Sequence, residues 1–226
     1  MKAINPTTEA FVCDYPEHTS DQLEQLLNRA NDCYQSWRKT TFELRSEHMK
    51  AAADVLRRDR DQLARLITTE MGKPIAQAEG ESDKCAWVCE FYARRAAEFL
   101  VDRLVDTDAK WSYIRFDSLG AVLAVMPWNF PFWQVFRFAV PSLMAGNVAL
   151  LKHASNVPGC ALAIERVFQD AGFPQGSFTT LLVNRETTEE LIKHPVVRAV
   201  TLTGSERAGR SVAATAGKEI KKSVLE

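Results

Sequence analysis

Asn129 stands between Trp128 and Phe130, with Pro127 and Pro131 just outside them. The two prolines stiffen the backbone and the two rings crowd the side chain, so the amide has few directions open to it and acts as a fixed hydrogen-bond donor. The same residues can also close an ordinary turn with their rings in the core. A second group, Thr203, Gly204, Ser205 and Gly209, falls where an apolar run gives way to a helical pattern. Free backbone N–H groups and the helix dipole at such a junction favour a phosphate, although many such turns are only caps. Lys152 ends another apolar run, with Ser155 three residues on, and Arg137 lies about two helical turns beyond Asn129. Each cation alone reads equally as a solvated surface charge. No GxGxxG fingerprint is present.

The elements that must hold these residues follow from periodicity. Ala121 to Met126 is an unbroken apolar run ended by Pro127, which suits a strand buried on both faces of a parallel sheet. Further strands are expected at Val148 to His153, Phe178 to Val183, Ala199 to Thr203 and Lys222 to Leu225. Helices are expected between them near Phe132 to Ala145, Pro158 to Ala171, Glu186 to Lys193 and Glu206 to Ala216. This alternation predicts an α/β fold with a Rossmann-like parallel sheet flanked by helices. Ligands in such sheets bind beyond the C-terminal ends of the strands, where all the residues named above fall.

Ahead of the sheet the chain reads as helical. Ile4 to Pro16 is expected as an irregular entry strand. Thr19, Ser20 and Asp21 offer caps for a helix whose buried face carries Leu23, Leu26, Leu27, Ala30, Tyr34 and Trp37. A second helical stretch spans about Phe42 to Met71, broken near Arg57 to Asp61 and stopped by Gly72 and Pro74. A third is expected from about Ser82 to Leu104, with Cys85, Cys89, Tyr92, Ala96 and Phe99 on one buried face. Trp111 to Phe116 alternates as a strand does. The organisation expected is residues 1–110 as the N-terminal helical segment, 111–120 as an arm strand and link, and 121–226 as the sheet domain.

Four ordered segments, MPWNFP after a buried strand, GFPQG, LTGS and VLE, resemble the NAD(P)-dependent aldehyde dehydrogenase superfamily, and within it the succinate-semialdehyde dehydrogenases. The resemblance covers essentially the whole chain and corresponds to the N-terminal half of the family's fold. It implies that Asn129 is the oxyanion-hole amide and Glu226 the general base that activates water. It also implies that Met126, Pro127, Trp128, Lys152, Ser155, Thr203, Gly204, Ser205 and Gly209 line the cofactor site, with Ser205 meeting the pyrophosphate and Lys152 the adenosine ribose. Phe130 and Arg137 would face the substrate, Arg137 holding its distal carboxylate, for which a guanidinium fork is well shaped. Glutarate semialdehyde carries the same end groups as succinate semialdehyde and stays open beside it. Members that prefer NAD often carry an acidic residue where Ser155 stands; Ser beside Lys152 tolerates a 2′-phosphate, so the cofactor expected is NADP or NAD. Arg198 departs from the family, which is commonly acidic there. By the resemblance the chain stops before the catalytic cysteine, the catalytic domain and the sister strand of a partial oligomerisation arm. A fragment inactive alone is then expected from a homo-oligomeric enzyme, the alternative being a non-catalytic nucleotide-binding or subunit-pairing product.

Composition narrows the partners. Of 226 residues, 28 are Lys or Arg and 29 Asp or Glu, a net charge of −1, so nothing recruits nucleic acid or an anionic membrane. No apolar run has the length to span a bilayer and the first residues lack a signal-peptide core, which leads to a cytoplasmic expectation. Cys13, Cys33, Cys85, Cys89 and Cys160 are odd in number and lack CxxC spacing, so no metal site or disulfide framework is expected. None stands where the family keeps its nucleophile. A small-molecule semialdehyde is the partner expected.

Overall fold

A computed structural model describes all 226 residues. Nine strands and eight helices follow in chain order. A hairpin of β1 (Lys2–Ile4) and β2 (Phe11–Asp14) comes first, in place of an irregular strand. Next come α1 (Ser20–Trp37), α2 (Phe42–Arg58), α3 (Arg60–Met71) and α4 (Ile75–Phe99). Thr19 caps α1 in a reciprocal box with Gln22, and Thr41 caps α2. The expected break in the second helical stretch falls at Asp59, and Gly72 ends α3 in a left-handed conformation at φ 75°.

Two expectations about this region fail together. The third helix starts at Ile75, not near Ser82, because Pro74 does not only stop one helix; it caps the next, where its missing N–H costs nothing. That helix ends at Phe99, and Arg103–Leu104, expected as its tail, forms β3, which pairs antiparallel with β4 (Tyr113–Ile114). The arm strand is therefore two residues long rather than the six of Trp111 to Phe116, and its partner is local. Cys85, Cys89 and Ala96 are buried as expected, whereas Phe99 is 45 % exposed.

The sheet strands are β5 (Ala121–Met126), β6 (Val148–His153), β7 (Phe178–Thr180), β8 (Val197–Leu202) and β9 (Lys222–Leu225). They join in the order β7-β6-β5-β8-β9, all parallel. Strand β7 is shorter than Phe178 to Val183, because Leu182 gives its carbonyl to the His18 amide. Between the strands run α5 (Trp133–Met144), α6 (Pro158–Asp170), α7 (Arg185–Lys193) and α8 (Glu206–Lys218). The chain builds outward from β5 to β7 on one side, then crosses back to β8 on the other. By the right-handed rule for parallel crossovers, this order places α5 and α6 on one face and α7 and α8 on the other, with a switch point at the C-terminal ends of β5 and β8.

The core is continuous from the helical segment into the sheet. Phe132 stacks on Phe136, Phe136 on Phe168 and Phe168 on Phe178, which locks α5 to α6 and β7. Helices α2, α3 and α4 close over this layer. Arg45, buried at the start of α2, donates to Thr40 Oγ1 and to the carbonyls of Trp37, Arg38, Thr40 and Met144. It thereby ties α1 and α2 to the C-terminal end of α5. No helix is long and apolar enough to cross a membrane.

Candidate active site

Pro127 breaks the β5 ladder as soon as its last side chain, Met126, is buried, and the chain runs through Trp128, Asn129 and Phe130 before α5 begins. Asn129 is exposed and its amide makes no hydrogen bond within the chain. The residues that follow it, Phe130 to Trp133, are nevertheless held from two sides. On one side lies His153, 4 % exposed at the end of β6. Its Nδ1 lies 2.9 Å from the Ala154 N–H and 3.2 Å from the Met126 carbonyl; the shorter contact assigns Nδ1 as acceptor and puts the proton on Nε2, which donates to the Pro131 carbonyl at 2.9 Å. Burial without a counter-ion pushes this imidazole down to about 4, so it is neutral at physiological pH. On the other side, Glu81 of α4 accepts the N–H groups of Phe132 and Trp133 at 2.8 and 2.9 Å and pairs with the buried Lys73. Lys73 in turn sits 3.9 Å from the centre of the Phe130 ring.

Arg137, one turn into α5, faces a cleft of about 380 Å³ between α5 and the β8–β9 side of the sheet. The same cleft is lined by Met126, Gln134, Thr203 and Glu226. Arg137 donates to Thr203 Oγ1 at 3.2 Å and forms an ion pair with the Glu226 carboxylate. The guanidinium therefore already grips a carboxylate, at the place where three sequence-derived site residues meet. No cysteine lines this cleft. Cys85, Cys89 and Cys160 are buried with thiols raised by desolvation, and Cys33 is raised to about 11 for the same reason.

Around the switch point the remaining residues divide between two hollows. Lys152 and Ser205 share one of about 210 Å³ with Val125, Arg185 and Arg207, between α7 and α8. Burial lowers the Lys152 ammonium, an effect opposed by Glu17. Gly204, Ser205 and Gly209 line a second hollow with Leu225 and Glu226. Ser205 caps α8 by accepting the Ala208 N–H at 3.3 Å, and its own hydroxyl proton stays free to donate. The amides of Glu206 and Arg207 have no acceptor in the chain, and a side chain at Gly209 would meet nothing within 4 Å. The start of α8 suits an anion through its open backbone, unpaired N–H groups and positive helix end; Lys152, Arg185 and Arg207 line the hollow on one side of Ser205, and Arg210 with Glu206 and Glu226 the hollow on the other. Ser155 and Trp128 are exposed and line neither hollow; Ser155 follows β6 three residues after Lys152.

Sequence reasoning passed over Glu81, Lys73 and His153. Glu81 was in reach: it lies four and eight residues before Cys85 and Cys89, so a carboxylate continues the face expected to be buried. A buried carboxylate needs partners, and the partners are the site loop.

The model of the family described as "Aldehyde dehydrogenase family" matches residues 1–226. A Synechocystis sp. protein named probable succinate-semialdehyde dehydrogenase (NADP+) is 53 % identical over the whole of this chain and 50 % of its own length. Mycobacterium bovis succinate-semialdehyde dehydrogenase (NADP+) 1 is 48 % identical with the same coverage. Among solved structures, Streptococcus pyogenes succinic semialdehyde dehydrogenase in complex with NADP+ superposes with a TM-score of 0.97 at 39 % identity, over all of this chain and 50 % of that one. A structure described as giving insight into cofactor and substrate selection by Gox0499 superposes equally well at 43 % identity. The chain spans about half the length of the curated relatives it matches.

Proposed function

The chain belongs to the aldehyde dehydrogenase family, and from that premise we propose that its residues form the cofactor-binding and oxyanion-binding part of an NADP-using enzyme that oxidises succinate semialdehyde to succinate. The observation that carries this reading is the meeting of Arg137, Thr203 and Glu226 in one cleft at the strand ends, on the helix that opens just after Asn129. Arg137 lies one turn into the helix that follows the Asn129 loop, and a guanidinium set beyond an amide donor suits a substrate with a carboxylate at one end and a carbonyl at the other, although Asn129 itself does not line that cleft.

Each residue then has a role. Attack by a cysteine thiolate, which is none of the five present, puts negative charge on the carbonyl oxygen, and the free Asn129 amide donates to it. Arg137 holds the distal carboxylate and gives up Glu226 to do so; Glu226 then takes a proton from the water that releases the acid. Lys152 and Ser205, with the open amides at the start of α8, hold the ribose and pyrophosphate of the dinucleotide, with Thr203, Gly204 and Gly209 leaving room for it. Met126, Pro127 and Trp128 bound the nicotinamide end, and Phe130 the aldehyde. When bound, the dinucleotide accepts hydride from the substrate carbon. Ser155 puts no charge against a 2′-phosphate, in line with the cofactor named for the relatives. The exposed Leu104, Trp111, Tyr113 and Ile114 of the arm favour contact with a second copy, which makes a homo-oligomer part of the reading.

The test is aldehyde-dependent NADP reduction by the full-length protein carrying these residues. Arg137→Ala is expected to lower kcat/KM for succinate semialdehyde by roughly 10- to 100-fold, and for butanal by less than about threefold. Equal losses on both aldehydes would remove Arg137 from substrate recognition, and no aldehyde-dependent reduction in the parent protein would remove the enzyme reading.

A further inference from the structure

Helix α4 reaches the loop that carries Asn129 through one buried side chain. Glu81 has both carboxylate oxygens engaged: Oε1 takes two successive backbone N–H groups at the start of α5, and Oε2 pairs with Lys73. The Glu81 and Lys73 side chains are 2 % and 6 % exposed, so water does not satisfy what the pair leaves free. Lys73 lies on the short link between α3 and α4, and its ammonium meets the face of Phe130, the residue next to Asn129. With His153 fixing the Pro131 carbonyl from β6, the segment from Phe130 to Trp133 is gripped by three side chains from two regions separate in sequence.

The Asn129 side chain makes no hydrogen bond that would orient it. Its amide is free for a ligand because the segment around it is held instead. An oxyanion donor must sit within a few tenths of an ångström of its place before the reaction starts, and a displacement near 1 Å costs about 100-fold. We infer that Glu81 is a positioning residue for the Asn129 amide, acting with Lys73 through the first turn of α5 and the Phe130 ring. This rests on the reading of Asn129 as oxyanion donor. The mechanical part, that Glu81 sets the loop, stands on the contacts alone.

Glu81→Ala leaves two buried N–H groups and one buried ammonium unpaired. The neutral pair Glu81→Gln with Lys73→Met keeps an acceptor for the two amides, keeps the volume and removes both charges. In the full-length protein Glu81→Ala is expected to lower kcat for the semialdehyde by roughly 10- to 100-fold with the dissociation constant for NADP unchanged, and the neutral pair to recover to within about fivefold of the parent. Because Glu81 acts through Asn129, adding Glu81→Ala to Asn129→Ala should cost less than about twofold more. Multiplied losses, or a fall in NADP affinity matching the fall in kcat, would overturn the inference.

Amide hydrogen exchange decides the mechanical part without turnover. Glu81→Ala should raise exchange at residues 130–133 by at least about tenfold while β6 and β8 keep theirs. Unchanged exchange at 130–133 refutes the positioning role. If Glu81→Ala does not fold, Glu81→Leu with Lys73→Met, which removes the acceptor and both charges, carries the same measurement against the neutral pair; loss of protection at 130–133 relative to that pair supports the role and equal protection refutes it. A parent protein that shows no aldehyde-dependent reduction of NADP would sink the functional reading, while the exchange result still stands or falls by itself.

Discussion

Lowering the pH should loosen the chain at His153 before most carboxylates are neutralised. The imidazole is enclosed between β6 and the Asn129 loop, accepts at Nδ1, donates at Nε2, and titrates near 4 instead of 6.5. The folded pKa is depressed, so between about pH 6.5 and 4 the unfolded chain binds the proton and the folded chain does not. The stability due to keeping this ring neutral is therefore complete above the ordinary histidine range and is lost as pH falls. Each tenfold gap in proton affinity is worth about 1.4 kcal/mol, which gives a loss of about 2 kcal/mol at pH 5 and about 3 kcal/mol at pH 4. His153→Gln keeps an N–H for the Pro131 carbonyl and does not titrate. The measurement is urea unfolding of both proteins from about pH 7.5 to about pH 4.5 at fixed ionic strength. Glu70 and Glu165, raised by burial, have the opposite sign, stabilising more at low pH than at high. They are common to both proteins and cancel in the difference. The parent should lose about 2 kcal/mol more than the variant by pH 5. A difference that stays flat across that range would refute the enclosure of His153 as an unprotonated clamp.

Other perturbations test other contacts. Ser155→Glu places a carboxylate three residues beyond Lys152, and should lower kcat/KM with NADP by at least about tenfold while leaving NAD within about threefold, read from cofactor saturation curves. Arg45→Met removes the donor shared by five oxygens, two of them the buried carbonyls of Met144 and Trp37. It should cost about 2 to 5 kcal/mol in chemical denaturation, with little change in NADP affinity of the folded protein.

The strands around the switch point were legible because burial on both faces leaves a run such as Ala121 to Met126 with no polar residue to confuse its period. Helices α5 to α8 were legible for the related reason that a strand fixes where each must begin. The start of α4 was not. Pro74 reads as a stop, and the local chain does not reveal whether it also begins something. The arm failed for want of length: two paired residues leave no alternation to detect. Within the site, the residues proposed to face a ligand stood out because Asn between rings, or Gly and Ser at a helix start, are odd choices for those places. Glu81, Lys73 and His153 did not stand out. A carboxylate on a helix, a lysine before a proline and a histidine ending a strand are ordinary in sequence, and only burial against distant backbone gives them a task.

The grip on the Asn129 loop also decides what can be exchanged between relatives. Residues 127–137 look self-contained in sequence, a short loop and the opening of one helix, and invite grafting to alter the aldehyde accepted. Two of their backbone amides, those of Phe132 and Trp133, end on Glu81, and the ring at position 130 rests on Lys73. A graft that leaves α4 behind meets a lysine and carboxylate spaced for another loop. Residues 73–84 and 127–137 form one cassette in two pieces, and a change of specificity that keeps its turnover should require both.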